Sequence, residues 1–272
     1  MAGRLEGKVA FITGGARGQG RSHALRLAAE GADIIAVDIA AQIDSVPYPL
    51  GTLDDLAETA KQVEALDRRV FTARADVRDE QALKDAFEAG TAEIGPVDIV
   101  LANAGIAPMA LNEPREVWRD VIDVNLTGVF NTIETAIPSM IERDAGGVIV
   151  VTSSTAGLNG VGGPDPAGLA YAASKHGILG LMSCYANILA KHSIRVNAVA
   201  PTGVRTPMIL NDAMREMLEA RGSVSRDLRN ALPVEAIDPE DVSNAIAWLV
   251  SDEAKYVTGV TVPVDAGYTN KK

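Results

Sequence analysis

The sequence is poor in cysteine and aromatic residues, and its acidic side chains outnumber the basic ones. The single cysteine, Cys184, excludes an internal disulfide bond and suits a reducing compartment. A net charge of −11 without a Lys/Arg block argues against nucleic acid or an anionic membrane surface as a partner. No apolar run reaches the roughly 20 residues of a membrane span, and residues 1–7 lack a signal-type apolar segment. We therefore expect a soluble, cytoplasmic protein without a nucleic-acid or membrane partner.

What the chain does contain is a regular alternation of strand-like and helical segments. Hydrophobic residues make up 47% and charged residues 22%, a globular composition, and we find no repeat or linker that would divide residues 1–272. Strands are predicted at Lys8–Thr13, Ala32–Val37, Arg69–Ala75, Val97–Leu101, Gly147–Thr152, Ile194–Ala200 and Val260–Val264. The pattern predicts one α/β domain of the Rossmann type, a doubly wound, mostly parallel seven-stranded sheet with helices on both faces.

A glycine-rich turn follows the first strand and precedes a helical pattern. Its sequence, Gly14-Gly15-Ala16-Arg17-Gly18-Gln19-Gly20, places the glycines where a backbone must turn sharply and approach a pyrophosphate at a helix N-terminus. The spacing is Gly-x-x-x-Gly-x-Gly, which differs from the Gly-x-Gly-x-x-Gly of other dinucleotide folds. A merely flexible turn is the alternative. The context of strand, turn and helix favours a dinucleotide site.

Asp38, at the end of the second strand, predicts which dinucleotide binds. A carboxylate about 20 residues beyond the glycine turn is placed to accept hydrogen bonds from the adenosine ribose. It would repel a 2′-phosphate, so it favours NAD over NADP. Arg17 argues mildly for NADP, although we interpret it as a solvated side chain.

Other polar and small residues follow the later strands. These are Asp76-Val77, Asn103-Ala104-Gly105, Ser154 with Ser153 as an alternative, and the segment from Pro201 through Val204 to Thr206. Because ligands of open α/β sheets sit beyond the carboxyl ends of the strands, we expect these residues to converge on one cleft. Their agreement with the glycine turn carries more weight than any single motif.

Tyr171 and Lys175 are four residues apart in a helical pattern, so their side chains share one helix face. An ammonium beside a phenol favours the phenolate and is expected to lower the tyrosine pKa, which suits a proton acceptor or donor. Ring packing beside a solvated lysine is the alternative. Asn125 lies in a mostly apolar helical pattern, and it needs polar partners if it is buried.

Two segments depart from a compact α/β pattern. Residues 39–53 form an insertion before the second helix, and Pro47 and Pro49 around Tyr48 predict a stiff, extended path. It leaves the strand end that should hold the adenosine half of a cofactor, although a tolerated surface loop is the alternative. Residues 206–232 mix methionines with charges and predict a mobile substrate lid.

Thr13-Gly14-x-x-x-Gly18-x-Gly20, Asn103-Ala104-Gly105, Asn125, Ser154 and Tyr171-x-x-x-Lys175 together resemble the short-chain dehydrogenase/reductase family in its classical form. The resemblance covers the whole chain. It implies a catalytic tetrad in which Tyr171 is the acid/base and Ser154 holds the substrate oxygen. Lys175 would bind the nicotinamide ribose, and Asn125 would order a water of the proton relay. The predicted cofactor-binding residues are Gly14, Arg17, Gly18, Gln19, Gly20, Asp38, Asp76, Val77, Asn103, Ala104, Gly105, Tyr171, Lys175, Pro201, Val204 and Thr206, with no metal site.

The sequence of the 39–53 insertion is similar to that of the carveol dehydrogenase-like branch of this family, which is also called mycofactocin-coupled. That resemblance implies tightly held NAD, a separate mycofactocin-like redox partner, and a small, mostly apolar secondary alcohol as substrate, with the terpenol carveol as the best guess. The family usually forms homotetramers. The sequence departs from the common family pattern at two places, Pro201-Thr202-Gly203 and residues 162–166. Both are expected to border the substrate pocket. An NADPH-dependent carbonyl reductase is the alternative, and a non-catalytic NAD(H)-binding regulator is a third hypothesis.

Overall fold

The computed structural model describes residues 3–111, 113–160, 162–221 and 229–271. Seven strands form one sheet in the order β3-β2-β1-β4-β5-β6-β7, and every neighbouring pair is parallel. The strands are β1 (Val9–Thr13), β2 (Asp33–Asp38), β3 (Val70–Arg74), β4 (Ile99–Ala102), β5 (Gly147–Thr152), β6 (Ile194–Pro201) and β7 (Thr261–Val264). The predicted number of strands is confirmed.

Helices cover both faces of this sheet. They are α1 (Gly18–Ala29), α2 (Leu53–Glu64), α3 (Glu80–Ile94), α4 (Val117–Ile122), α5 (Gly128–Arg143), α6 (Pro166–Leu189), α7 (Asp212–Arg221) and α8 (Pro239–Val250). On one face, Phe11 of β1 packs in a cluster that includes residues of α3, α5 and α6. Its neighbour Ile12 belongs to the cluster on the other face, with residues of α1, α2 and α8. Both faces of β1 are therefore buried, which explains its unbroken apolar sequence.

The sheet reverses its winding at β1, which pairs with β2 on one side and β4 on the other. Crossovers after β1 and β2 build one half of the sheet, and the chain from β4 to β7 builds the other. A crevice at the carboxyl ends of the strands is expected at such a switch point. The topology thus fixes where a site should be sought.

Two helices carry predicted catalytic residues. The helical pattern around Asn125 is divided into α4, a π-helical turn at Asp123–Thr127 and α5. The helix of Tyr171 and Lys175 begins at Pro166, and a proline is well suited to the first turn of a helix. Single π-helical turns inside helices are frequent at functional sites.

The insertion and the predicted lid differ in the structure, since the insertion has no helix or strand before α2, whereas the described part of the lid contains α7. The insertion nevertheless buries Ile43, Val46 and Tyr48 in the core. In the predicted lid, α7 buries Met214 and Met217, and residues 222–228 lie outside the described residues. None of the helices in the described ranges combines the length and apolar character that a bilayer crossing requires.

Candidate active site

The glycine-rich turn between β1 and α1 has the backbone that its sequence predicts. Gly14 and Gly18 have φ values of +72° and +56°, in the left-handed region that favours glycine. Gly20 has a different reason to lack a side chain, since a Cβ there would lie 1.9 Å from the Gly14 carbonyl oxygen. The turn therefore brings the first strand against the start of the helix and leaves its backbone open toward the cleft.

A cleft at the carboxyl edge of the sheet brings most of the predicted cofactor-binding residues together. It is lined by Gly14, Arg17, Gly18, Gln19, Gly20, Asp38, Asp76, Val77, Asn103, Ala104, Gly105 and Thr206. Pro201 and Val204 are not among its lining residues in the described part of the chain. Val204 is buried and instead forms a parallel bridge with Ile237. Strand ends thus predict the cleft well, and the segment after β6 contributes through Thr206.

The cleft fits a dinucleotide on observations of its own. The side-chain carbonyl Oε1 of Gln19, in the first turn of α1, is buried and has no hydrogen-bond partner among the described residues. Buried polar atoms are normally paired, so this one indicates a missing donor. The open amides at the N-terminus of α1 suit a pyrophosphate. In the described residues, no group of His, Cys, Asp and Glu could hold a metal ion.

Asp38 lines the cleft and is 9% exposed. Its Oδ2 accepts a hydrogen bond from the Ala16 amide at 3.1 Å, and its Oδ1 accepts one from Ala40 at 3.0 Å. Burial raises the pKa of this carboxyl, and the two amide hydrogen bonds oppose that rise. Arg17 is half-buried, and its guanidinium donates to the Pro49 carbonyl oxygen.

The second part of the site is a cluster of Ser154, Tyr171 and Lys175 beside the cleft. Lys175 is 4% exposed, and its Nζ donates to the Thr152 carbonyl oxygen at 2.8 Å. The same Nζ lies 5.5 Å from the centre of the Tyr171 ring. A Cβ on Gly105, which lines the cleft, would lie 3.5 Å from Lys175 Nζ. The cluster and the cleft are therefore adjacent, with Gly105 between them.

The pKa values in this cluster differ from the prediction. Burial raises the pKa of Tyr171, and a hydrogen bond from Ser154 partly offsets the rise. Burial also lowers the pKa of Lys175 to about 8. The expected lowering of the Tyr171 pKa by Lys175 is thus not found, because loss of solvent is the larger effect on both groups. At neutral pH the phenol is protonated in this structure.

Asn125 is fully buried in the π-helical turn, so its carboxamide needs polar partners. Its Oδ1 accepts from the Ile106 amide at 2.8 Å, and its Nδ2 donates to the Ile106 carbonyl oxygen at 2.8 Å. The carboxamide thus satisfies both backbone groups of one residue in the loop after β4. That loop contains Gly105, so Asn125 fixes the wall shared by the cleft and the cluster.

The structure separates the two serines at the end of β5. Ser153 is buried, and its hydroxyl donates to the Lys175 backbone carbonyl oxygen at 2.9 Å. Ser154 is half-buried, and its hydrogen bond with Tyr171 places it in the cluster. The preference for Ser154 over Ser153 agrees with this geometry.

Comparison with known proteins identifies the family. Residues 8–216 match the family model described as short chain dehydrogenase. The chain belongs to the short chain dehydrogenase family.

Relatives and solved structures of this family are similar over nearly the whole chain. An uncharacterized oxidoreductase of Mycobacterium tuberculosis is 58% identical, over 98% of this chain and 98% of that protein. A (−)-trans-carveol dehydrogenase of Rhodococcus erythropolis is 45% identical, over 98% and 99%. The crystal structure of carveol dehydrogenase from Mycobacterium avium in complex with NAD is 46% identical, with a TM-score of 0.92 and coverage of 99% and 100%. The predicted family and fold class are confirmed, and the chain is an oxidoreductase of this family.

The insertion supplies residues to this short chain dehydrogenase that the motifs did not indicate. Ile43, Tyr48 and Leu50 line the cleft, and the Tyr48 hydroxyl accepts a hydrogen bond from the Ala107 amide at 3.1 Å. Burial raises the Tyr48 pKa to about 12, so its hydroxyl stays protonated. The sequence signal was present, since an aromatic residue between two prolines is stiff enough to be placed in a core.

One side chain holds the insertion together. The Nε2 of Gln42 donates to the carbonyl oxygens of Ile43, Val46 and Tyr48, and its Oε1 accepts from the Leu50 amide at 3.0 Å. An irregular segment needs partners for its backbone groups once they leave water. Gln42 supplies four of them, which explains how a segment without helix or strand has a defined path beside the cleft.

Proposed function

We propose that this short chain dehydrogenase interconverts a small, mostly apolar secondary alcohol and its ketone with NAD. A terpenol such as carveol is the best candidate for the alcohol. The observation that carries this proposal is the position of the Ser154–Tyr171–Lys175 cluster beside a cleft that the Asp38 carboxylate also lines. The two carveol dehydrogenases at 45% and 46% identity support the substrate class.

In this proposal each residue of the tetrad has one task. Tyr171 exchanges a proton with the substrate oxygen, and Ser154 holds that oxygen by a hydrogen bond. Lys175 binds the ribose nearest the nicotinamide, and Asn125 orders a water of the proton relay while fixing the Ile106 peptide. NAD, when bound, supplies the hydride chemistry. Positioning and proton transfer are the contributions of the protein.

The raised pKa of Tyr171 gives this proposal a pH dependence. A protonated phenol donates to a ketone, and a deprotonated phenol accepts from an alcohol. We expect the rate of ketone reduction to fall and the rate of alcohol oxidation to rise as the pH increases through the tyrosine pKa. Rate profiles in both directions measure this, and parallel profiles would contradict it.

Two observations favour NAD over NADP. The Asp38 carboxylate borders the cleft where an adenosine ribose would lie, and the guanidinium of Arg17, a candidate partner for a 2′-phosphate, donates to the Pro49 carbonyl oxygen. An NADPH-dependent carbonyl reductase therefore fits the site less well. The direct test is the absorbance of the reduced nicotinamide band with a panel of alcohols and ketones and both cofactors. A wild type that prefers NADPH would overturn the cofactor assignment.

We also propose that the insertion covers the adenosine half of NAD and slows its release. Tyr48 and Leu50 line the cleft, and a Cβ on Gly51 would lie 3.2 Å from Asp38 Oδ1, so the segment runs beside the proposed ribose site. Slow release would make turnover poor without a partner, such as a mycofactocin-like electron acceptor. Denaturing gel-filtered protein and assaying the supernatant tests this, since stoichiometric nicotinamide is expected. Little released nicotinamide, together with fast exchange of labelled NAD, would refute it.

The segment 206–232 is proposed as a substrate lid on its described part. Thr206, Pro207 and Met208 line the cleft, while the Leu210 side chain is 65% exposed. An exposed leucine near a cleft mouth gains burial when a lid closes over an apolar substrate. We expect Leu210→Ala to raise KM for a terpenol more than for a short alcohol such as 2-propanol. Equal changes in the two KM values would contradict a lid.

We propose that the enzyme is a cytoplasmic homotetramer. The helices through which the family usually pairs carry exposed apolar side chains. These are Phe130 of α5, which is 43% exposed, and Leu169 and Ile188 of α6, which are 50% and 57% exposed. Near the edge strand β7, Trp248 and Tyr256 are also exposed. Sedimentation at micromolar concentration should give four copies, and a monomer would contradict the proposal.

A further inference from the structure

Four polar side chains connect the insertion to the strand end that lines the cleft. Ser45 of the insertion donates from Oγ to Asp120 Oδ2 on α4 at 2.6 Å. The other oxygen of Asp120 accepts from Arg78 Nη1 at 3.1 Å. Arg78 then binds Asp76, with Nη2 donating to Oδ2 at 2.7 Å and Nε donating to Oδ1 at 3.1 Å. Asp76 itself lines the cleft. A single guanidinium therefore joins the insertion, through α4, to a carboxylate in the cleft.

The charges of this network make Arg78 its central member. The side chains of Arg78, Asp76 and Asp120 are 31%, 26% and 29% exposed, so solvent screens them only in part. Arg78 is the cation placed between two carboxylates, and Asp123 adds a third negative charge nearby. Its planar fork donates to both oxygens of Asp76, an arrangement that an ammonium cannot reproduce.

The network is separate from the contacts that shape the insertion. Gln42 binds the backbone of the segment, and the Tyr48 hydroxyl binds Ala107, neither through Ser45 nor through Asp120. Removing the Ser45 hydroxyl should therefore leave the insertion folded. What Ser45 adds is a tie from the tip of the segment to the body of the protein.

We propose that Ser45, Asp120 and Arg78 are positioning residues that latch the insertion closed and orient Asp76 toward the adenosine half of the dinucleotide. Because both actions pass through Arg78, release of the dinucleotide and opening of the insertion are coupled. The proposal rests on the proposed function in its choice of NAD as the ligand. It adds that residues on α4, outside the cleft, control how long the ligand stays.

The test is a double-mutant cycle of Ser45→Ala and Arg78→Lys in the full-length protein. We measure the dissociation rate of NADH by fluorescence after mixing with excess NAD. Ser45→Ala should raise the rate about fivefold, the effect of one hydrogen bond, and Arg78→Lys should raise it more. In the double variant, the NADH dissociation rate should rise by less than the product of the two single increases, because both substitutions break the same chain of contacts. Effects that multiply, or an unchanged rate for Ser45→Ala, would overturn the latch.

Matched controls separate the latch from a general loss of a hydroxyl or a guanidinium. Ser183→Ala removes an exposed hydroxyl on α6. Arg68→Lys changes an arginine that pairs with Glu6 near the amino ends of β1 and β3. Neither control should change the dissociation rate by more than about twofold, since neither residue contacts the network. A change as large as that of Ser45→Ala would overturn the assignment.

A measurement without cofactor distinguishes failure of the latch from failure of the proposed function. The amides of Val46 and Leu50 are hydrogen-bonded inside the insertion, so their hydrogen exchange reports its opening. Arg78→Lys, which does not touch the insertion, should speed exchange of both amides. Unchanged exchange would overturn the latch whatever the protein binds. If the wild type binds no NAD, but both amides exchange faster in Arg78→Lys than in the wild type, the proposed function is overturned and the latch is retained.

Discussion

Tyr171 and Lys175 stand on a single helix of 24 residues, whereas Tyr48 and Leu50, which line the cleft, come from a segment without helix or strand. The helix fixes the spacing of its two side chains by its own geometry. The insertion depends on Gln42 to hold its backbone in place, and Ser45 ties it to α4. We infer that the helix carries out the chemistry and that the irregular segment retains the ligand.

The sharpest test of this division is Tyr171→Phe. The substitution removes the transferable proton and leaves the ring, so turnover should fall by about 10²–10⁴-fold or more. NAD affinity and the NADH dissociation rate should stay close to wild type, because the change lies in the catalytic cluster and leaves the insertion unaltered. Steady-state kinetics and calorimetry check the two halves. Tyr256→Phe, at an 89% exposed tyrosine, is the control and should behave as wild type. A Tyr171→Phe variant that keeps most of its kcat would refute the proton-transfer role.

Lys175→Met should lower both kcat and cofactor affinity, and it should also change how stability depends on pH. The Lys175 pKa falls from 10.5 to about 8 on folding, so between these values the unfolded chain binds more protons. The free energy of unfolding should therefore rise with pH over this window in the wild type, by about 3 kcal/mol for such a shift. Below pH 8 the full cost of burying the charge is present.

Denaturant unfolding of wild type and Lys175→Met at pH 7.5 and pH 10 measures the difference. The free energy of unfolding of the wild type should increase relative to that of the variant as the pH rises, since the variant lacks the titrating group. A constant difference between the two proteins would contradict the lowered pKa. An unaffected cofactor Kd would remove Lys175 from the ribose role.

Asp38→Ala tests the end of the cleft where retention is proposed. Loss of the carboxylate removes the repulsion of a 2′-phosphate, so the preference for NAD over NADP should fall by about tenfold or more. Asp38→Asn is the matched variant, because its carboxamide oxygen can still accept one of the hydrogen bonds from Ala16 and Ala40. Ratios of kcat/KM for the two cofactors give the result. If only the alanine variant changes its preference, hydrogen bonding rather than charge sets cofactor choice.

The smallest expected effect is that of Tyr48→Phe. The hydroxyl is the acceptor for the buried Ala107 amide, so its loss should cost about 1 kcal/mol of stability. We expect NADH release to become about fivefold faster, with kcat for the chemical step unchanged. Thermal unfolding and stopped-flow release measure the two effects. A fall in kcat comparable to that of Tyr171→Phe would contradict the division of tasks between the helix and the insertion.

Strand ends and glycine spacing were the parts of the site that the sequence predicted well. Gly14, Asp38 and Asn103 meet at one cleft because parallel strands place their carboxyl ends at the same edge. Asn125 was harder to interpret, since its π-helical turn and its bonds to Ile106 depend on the loop after β4. The hydrogen bond from Arg17 to the Pro49 carbonyl was not predictable, because that carbonyl lies in a segment whose path no periodicity encodes.

The sequence by itself determined the family and the parallel sheet, and it indicated the residues that we propose for proton transfer, since each depends on local patterns and on spacing along one element. The tertiary structure alone decided the protonation of Tyr171 and Lys175, because a pKa depends on how much solvent the packed neighbours exclude. It also decided the course of the insertion. The contacts of Ser45 with Asp120 and of Tyr48 with Ala107 join residues distant in the chain, and such pairs form only when the whole sheet is assembled.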